Sequence, residues 1–595
     1  MREPELSTNP RTGLTRRTLL TRGAGAVAGA TLAGGALRTP AWARAVPDLK
    51  HAKPSQAQAL RALGRTHLRL PDSRPAPAMA AGVDTLPAVD HVVVLMLENH
   101  SYDNVLGMLG RGRGNTPRGD GFQLAADGYP AASNPYPDGR PLRAFRMPTT
   151  CQPHGKPSQE WEQSHIQYAG GRNDGFVISN SGPVAMGYWT GADLPFTYDL
   201  ASTFPIGDRW FSSVLAQTDP QRRFLIAATA SGMTDDIGGS IGNLVPDATL
   251  GAPANGTIFE RLSSAGISWA DYAYAFPTGT TMELYPTNDG VYSTTNVKPI
   301  GQFFTDAARG SLPAFSLLDP DYETQSQEDP QNMVVGEAFL ADVVNALGSS
   351  PKWLRTLLIV TYDEHGGYYD HVAPPPALAP DSVPPTVQPG ESSYDGYARY
   401  GFRVPSIVVS PYAKRDHVSH VLYDHTSVLA LVERKWNLPA MTLRDANAND
   451  LTDFLDLDAM AAGRPTFPEL PALAAPGRNA ATLACSTTGA GQIPPPPPPP
   501  HKLPKIRLEL RELGVRRHQH GVLVELRTSH GTLTGVEVDL FHGHRRVARH
   551  RIHRISHAER RIVLRERGRV PPAGRYTVVV RHGGRVMIRR GLRIR

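Results

Sequence analysis

The sequence predicts an α/β body, a mainly parallel sheet sandwiched by helices, followed by a small β-sandwich-like domain. Three observations carry the prediction. The stretch TLLIVTYDEHGGYYDHV, residues 356–372, contains the run Leu357-Leu358-Ile359-Val360 with no alternation, which is how a strand buried on both faces reads. VDHVVVLMLENHSYDNVLG, residues 89–107, has the same form, with residues 92–97 all apolar. TIFERLSSAGISWADY (257–272) and GEAFLADVVNAL (336–347) repeat apolar residues at three- and four-residue spacing, the helical period. Buried strands alternating with helices indicate a parallel sheet covered on both sides.

At 595 residues the chain is long enough for one large α/β domain with additions. At its start, Thr15-Arg16-Arg17-Thr18-Leu19-Leu20 is a twin-arginine pattern. A weakly apolar Gly/Ala-rich run follows (23–37), then Ala41-Trp42-Ala43, an A-x-A cleavage site. Residues 1–43 are expected to be a signal peptide that exports the folded protein for secretion or attachment at the cell envelope. The run is too short to span a membrane, and no later stretch is apolar enough.

Residues 44–86, rich in Ala, Pro and Arg, are expected to form a loosely ordered lead-in, and 87–470 the α/β body. Within the body, FRVPSIVVSPYA (402–413) is a further strand candidate. DHTSVLALVERKWNL (424–438) reads as a helix capped by Asp424, Thr426 or Ser427. Residues 471–504 form a Pro-rich linker containing seven consecutive prolines, a semi-rigid polyproline II spacer. In residues 505–595 the period changes. GVEVDLF alternates Val536, Val538 and Leu540 with Glu537 and Asp539, and RYTVVVRH and RVMIRRGLRIR follow after turn residues. Short strands with frequent turns predict the small β-domain.

The net charge of +7 conceals two opposed parts. Residues 501–595 carry 24 Lys+Arg against 7 Asp+Glu; subtracting from 62 and 55 leaves 38 against 48 for residues 1–500. The body is acidic at −10 and the tail basic at +17. Cys151 and Cys485 are the two cysteines, and neither lies in a CxxC arrangement, which argues against a thiolate zinc site. Spacing alone leaves their pairing open.

Chemistry gathers where the apolar runs end. The first empties into Glu98 and Asn99, the second into Asp363, Glu364 and His365, and then into Gly366-Gly367. Ligands of open α/β sheets sit beyond the carboxyl ends of the strands, so these oxygens and the imidazole read as hard-metal ligation and acid–base chemistry. A third stretch, SSVLAQTDPQRRFLIAATASG (212–232), places Thr218 in a polar turn ahead of Arg222 and Arg223 and an apolar helical segment. A hydroxyl beside a divalent cation can attack phosphorus, and a nearby arginine can clamp phosphate oxygens.

Four ordered motifs, ENHSYDNVLG, LAQTDPQRRF, TYDEHGGYYDHVAPP and YDHTSVLALVERKWNLP, resemble the bacterial phosphoesterase family of haemolytic and non-haemolytic phospholipases C and a related acid phosphatase. The resemblance covers residues 89–454 and implies an alkaline-phosphatase-like fold. It implies that Thr218 is the nucleophile, and that Glu98, Asn99, Asp363 and Glu364 hold one divalent metal ion together with that hydroxyl. Oxygen ligands suit Ca, Mg or Mn better than structural Zn. His365, His425 and Arg222 are the implied catalytic partners; His154, His165, Asp370 and His371 are further candidates. This chain departs from the family pattern in three places. Gln221 stands where the family has Asn, Gln159 where it has His, and Glu328-Asp329-Pro330 where it has His-Pro-Pro.

The implied activity is hydrolysis of phosphatidylcholine-type lipids to diacylglycerol and phosphorylated head group, through a phosphothreonine. A phosphomonoesterase with the same nucleophile and metal is the alternative, and a non-catalytic surface-binding protein a third. The basic tail is expected to meet an anionic membrane or cell-wall surface. Nucleic acid is not an expected partner, because the tail carries no recognisable reader motif.

Overall fold

The structure, a computed structural model, describes residues 54–112, 115–152, 157–236, 253, 255–274, 295–322, 324–477, 485, 506–512, 522–529, 532–556, 558, 560–565 and 572–594. The expected signal peptide, the seven-proline spacer and His154 lie outside the described residues. The chain divides into two compact units, residues 1–495 and 496–595.

The first unit is built on an eight-stranded sheet. In chain order its strands are β1 (His91–Leu97), β2 (Ile206–Gly207), β3 (Trp269–Ala273), β4 (Val297–Pro299), β5 (Phe315–Asp319), β6 (Thr356–Tyr362), β7 (Ser406–Val409) and β8 (Val418–Ser419). Their spatial order is β8-β2-β7-β6-β1-β5-β3-β4. β1 lies parallel to β6 on one side and to β5 on the other. β7 alone runs antiparallel to its neighbours. The unbroken apolar runs follow from this position, since every residue of β1 and β6 is buried and neither face meets water. The mainly parallel, helix-covered sheet is the one expected.

The helices that bear on the site are α1 (Trp161–Tyr168), α2 (Thr218–Ala227), α3 (Ile258–Ser264), α4 (Ile300–Arg309), α5 (Met333–Gly348) and α6 (Thr426–Trp436). Leu225 and Ile226 of α2, Val343 and Val344 of α5, and Val428 and Leu431 of α6 join the core that also holds β1 and β6. α6 begins within the expected stretch, at Thr426, but without the expected cap: its N-cap residue is His425, and no side chain caps it. Thr426 donates to the Asp424 carboxylate at 2.5 Å, and Ser427 accepts from the Asp424 amide at 3.2 Å. No helix among the described residues is long and apolar enough to cross a membrane.

Three expectations change. Residues 257–272 are not one helix, because α3 stops and Gly266, at φ +69°, turns the chain into β3. Only glycine takes that conformation without strain, and Trp269 and Tyr272 suit a buried strand. Residues 54–86 are not loose. Ala59, Leu60, Leu63 and Leu68 pack with Leu378, the Thr85 amide donates to Lys435, and the Asn437 side chain holds the carbonyls of Ala76, Met79 and Ala80. Packing also continues past residue 470. Ala474 and Gly477 donate to Asp199 and Glu337, and a disulfide joins Cys151 to Cys485.

The second unit is antiparallel. Its strands are β9 (Ile506–Glu512), β10 (Val522–Thr528), β11 (Leu533–His542), β12 (Arg545–Ile555), β13 (Arg560–Leu564), β14 (Gly574–His582) and β15 (Arg585–Ile594). They form a three-stranded sheet, β9-β10-β13, and a four-stranded sheet, β12-β11-β14-β15. Val522, Val524 and Leu526 of the first share one core with Val536, Val538, Leu540, Val578 and Val580 of the second. This is the β-sandwich-like domain that the alternation predicts.

Candidate active site

The pairing of β1 with β6 builds the site. Their register runs from His91 opposite Thr356 to Leu97 opposite Tyr362, and the Asp363 amide adds one more bond to Leu97 O at 3.1 Å. Glu98-Asn99 and Asp363-Glu364 therefore leave the sheet side by side. The Asp363 carboxylate caps the exit, with Oδ1 accepting from the amides of Asn99 at 2.9 Å and Glu364 at 2.7 Å. Gly366, at φ +63°, passes so close that a Cβ there would lie 1.8 Å from Asn99 O. The double glycine makes room for the site.

α2 supplies the hydroxyl. Thr218 is its first residue, not a turn residue ahead of it, so Oγ1 sits at the positive end of the helix dipole. Oγ1 lies 2.6 Å from Asp363 Oδ2, 3.2 Å from Asn99 Oδ1 and 3.3 Å from Glu98 Oε2. One terminal atom of the Asn99 amide is 2.8 Å from Glu98 Oε2, 3.0 and 3.1 Å from the Asp363 oxygens, and 3.2 Å from Glu364 Oε1. As NH2, that atom ties the carboxylates together while the amide oxygen accepts from Gln159 Nε2 at 3.1 Å. As oxygen, it completes an all-oxygen cage of acceptors.

Such a cage needs positive charge. Burial, then the charges of Glu98 and Glu364, hold the Asp363 carboxyl well above the usual range. Three buried carboxylates, an amide and a hydroxyl, with no thiolate, fit a hard divalent cation. Asp103, Asp370 and His371 also bring three ligand-type atoms within 4.8 Å of one another. There, however, the Arg403 guanidinium already supplies the charge. It lies 3.0 Å from Asp370 Oδ1, 3.3 Å from Asp103 Oδ1 and 3.3 Å from His371 Nδ1.

The other expected residues fall into place around the cage or away from it. Arg222, expected to clamp phosphate, is 1 % exposed and engaged on both arms, by the Glu98 carboxylate and by Asp319 Oδ1 at 2.7 Å. Its Nε is buried without a partner, and the guanidinium lies 5.5 Å from the centre of the Tyr322 ring. His425 donates from Nε2 to Asp363 O at 2.6 Å, leaving Nδ1 buried and unpartnered. Burial pulls its imidazolium down to about 4, so the ring is neutral. His365 stands behind Glu364. Its Nε2 faces Gln167 Oε1 at 2.6 Å and its Nδ1 faces Glu364 Oε2 at 3.0 Å. Burial pulls this ring down to about 3, so it is neutral and its one N–H, on Nε2, donates to Gln167 Oε1.

His165, Asp370 and His371 make no contact with the cage among the interactions described. His165 stacks on Tyr394 with ring centres 3.9 Å apart and bonds Trp161 O at 2.7 Å. Asp370 and His371 belong to the Arg403 network. Burial opposes charge on His371 and Arg403 repels it, but Asp103 and Asp120 outweigh both and lift the imidazolium from 6.5 to about 10. A raised folded-state value means a contribution fully present below 6.5 and lost as pH climbs through about 10. Stability should therefore fall across that window, and His371→Gln should flatten the decline in urea melts taken at successive pH values.

Sequence reading missed three members of the site region. Asp319 ends β5, another apolar run that empties into a carboxylate, so the same signal was present. Asp271 in β3 is buried beside Asp319; burial, then the Asp319 charge, holds its carboxyl well above the usual range. Gln159 is marked in the sequence only as standing where the family has His, not as a partner of Asn99.

A mainly parallel sheet whose carboxyl edge closes an oxygen cage around one hydroxyl suits a hydrolase of phosphoric esters. The chain belongs to the Phosphoesterase family, whose family model matches residues 89–439. It is 30% identical over 409 residues to phospholipase C A of Mycobacterium tuberculosis, covering 62% of this chain and 77% of that one. It is 29% identical over 417 residues to haemolytic phospholipase C of Pseudomonas aeruginosa, covering 62% of this chain and 56% of that one. Over 277 residues it is 32% identical to non-specific phospholipase C6 of Arabidopsis thaliana, covering 44% of this chain and 51% of that one.

Proposed function

We propose that this chain is an exported, metal-dependent phospholipase C that cleaves phosphatidylcholine-type lipids through a phosphothreonine at Thr218. The observation that carries the proposal is the Thr218 hydroxyl 2.6 Å from Asp363 Oδ2 inside the oxygen cage. Glu98, Asn99, Asp363, Glu364 and Thr218 would hold a divalent ion, which supplies charge to acidify the hydroxyl and to stabilise the phosphoryl oxygens. Ca, Mg and Mn match these ligands.

Asp363 Oδ2, 2.6 Å from Oγ1, accepts the Thr218 proton. Oγ1 attacks phosphorus, the bond to the glycerol oxygen breaks, and the proton ends on departing diacylglycerol. Water then attacks the phosphothreonine. Hydroxide goes to phosphorus, the remaining proton returns to Oγ1, and the phosphorylated head group leaves. His425 Nδ1, a lone pair with no partner, receives the water proton in transit. Arg222, held between Glu98 and Asp319, keeps the Glu98 carboxylate in place. The twin-arginine pattern supports export, and the basic C-terminal unit supports an anionic membrane or cell-wall partner.

The purified protein should release phosphocholine and diacylglycerol from phosphatidylcholine. A chelator should abolish release, and Ca, Mg or Mn should restore it. Turnover of p-nitrophenyl phosphate alone would overturn the lipase reading and leave a phosphomonoesterase. No turnover of either substrate with metal restored would overturn both.

A further inference from the structure

The four-stranded sheet of the second unit has one face in the core and one outward, and its register fixes what the outward face presents. On β11, Val536, Val538 and Leu540 enter the core, so Glu537, Asp539 and Phe541 point out. Opposite these three on β12 stand Arg551, Arg549 and Arg546. On β14, Arg581 lies opposite Glu537, and Arg575 follows on the same side. On β15, Arg593 pairs with Arg575 and Arg589 with Val579. Seven arginines thus share one sheet face with two carboxylates.

Those two carboxylates leave most of the cationic donors free. Asp539 is 1 % exposed, with Arg549 at 2.7 Å, Arg581 at 3.7 Å and Arg546 at 3.8 Å. Glu537 receives Arg551 at 2.8 Å and Arg549 at 3.5 Å. A guanidinium carries five N–H donors, so each ion pair uses a minority of them. The Arg551 side chain is 76% exposed, and Arg575, Arg589 and Arg593 are exposed as well. The type of cation is informative too, because residues 506–595 contain arginine and no lysine. Planar forks match the paired oxygens of a phosphodiester. Val586, 40% exposed on the same face, adds an apolar contact of the kind an interface accepts.

We propose that this arginine face docks the protein on an anionic bilayer, with guanidinium groups gripping lipid phosphates. The choice of a bilayer over other polyanions rests on the phospholipase reading; the anion-binding face itself does not. Thr218→Ala protein, full length, would be sedimented with vesicles of phosphatidylcholine alone or mixed with phosphatidylglycerol. Binding should appear on the mixed vesicles, be absent from the neutral ones, and weaken as salt is raised. At roughly a fivefold loss per arginine, the triple change Arg575→Glu, Arg589→Glu, Arg593→Glu should weaken it at least about a hundredfold. Its thermal midpoint should be unchanged, as should turnover of a soluble phosphodiester when the triple change is made with Thr218 intact. Equal binding to both vesicles, or an unaltered triple variant, would overturn the proposal; so would tighter binding to duplex DNA than to mixed vesicles. Failure of the catalytic reading would show separately, as loss of phosphodiester turnover with docking intact.

Discussion

Thr218→Ala is expected to lower kcat by about 10⁴-fold or more while the protein stays folded. The alanine removes the only hydroxyl in the cage, and the residues that remain around it are carboxylates and an amide. Removing a nucleophile from a hydrolase costs up to about 10⁶-fold, with the residue of activity coming from binding and charge stabilisation. Thr218→Ser keeps an oxygen within reach of Asp363 and should retain most of the rate. The pair therefore separates chemistry from packing, since both variants lose the same methyl environment while only one loses the oxygen. Turnover of a soluble phosphodiester, measured beside the thermal midpoint, gives the answer. A loss below about tenfold in Thr218→Ala would show that the phosphoryl group never resides on this residue.

The largest effect on stability is expected at Arg403. Its side chain is fully buried, paired with Asp370 and Asp103, and donates from Nη1 to Asp120 O at 2.8 Å and Asp208 O at 3.0 Å. The guanidinium also lies 4.5 Å from the centre of the Tyr102 ring. Arg403→Met fills similar space but leaves buried Asp370 without its cation and Asp103 with His371 alone, which costs about 3–5 kcal/mol. Much of that loss should return when Asp103→Asn and Asp370→Asn are added, because the uncompensated charge is then gone. Urea denaturation of the single and triple variants would measure both. A single-variant loss under about 1 kcal/mol would mean that water or His371 replaces the guanidinium.

Strand ends and the oxygen cage were legible in the sequence for one reason. A strand with no solvent face has no polar alternation, so its end is marked sharply when the chain turns polar. Glu98, Asn99, Asp363 and Glu364 all stand at such a mark, and so does Asp319. The reversed direction of β7 was not legible, because a short buried strand reads the same both ways. Nor was the Arg403 network, whose members lie 32 to 300 residues from Arg403 and carry no local pattern. The 257–272 segment misled because apolar spacing in a buried strand and its preceding helix merges into one apparent period. Residues 54–86 misled because composition reports disorder only when nothing elsewhere in the chain offers a surface. Here α6 and the Asn437 side chain do.

The position of the cage in the sheet also sets how it can come apart. β1 and β6 are the two middle strands of eight, and the cage carboxylates continue directly from their paired backbones. Fraying begins at edges and termini, where opening is cheap, and reaches central strands only near the global free energy of unfolding. No local fluctuation of a loop or lid can pull Glu98 away from Asp363 while the ladder beneath them holds. The carboxylate half of the cage is thus as long-lived as the least exchangeable amides in the molecule, and the Glu98–Asp363 juxtaposition and sheet protection should vanish at the same denaturant concentration.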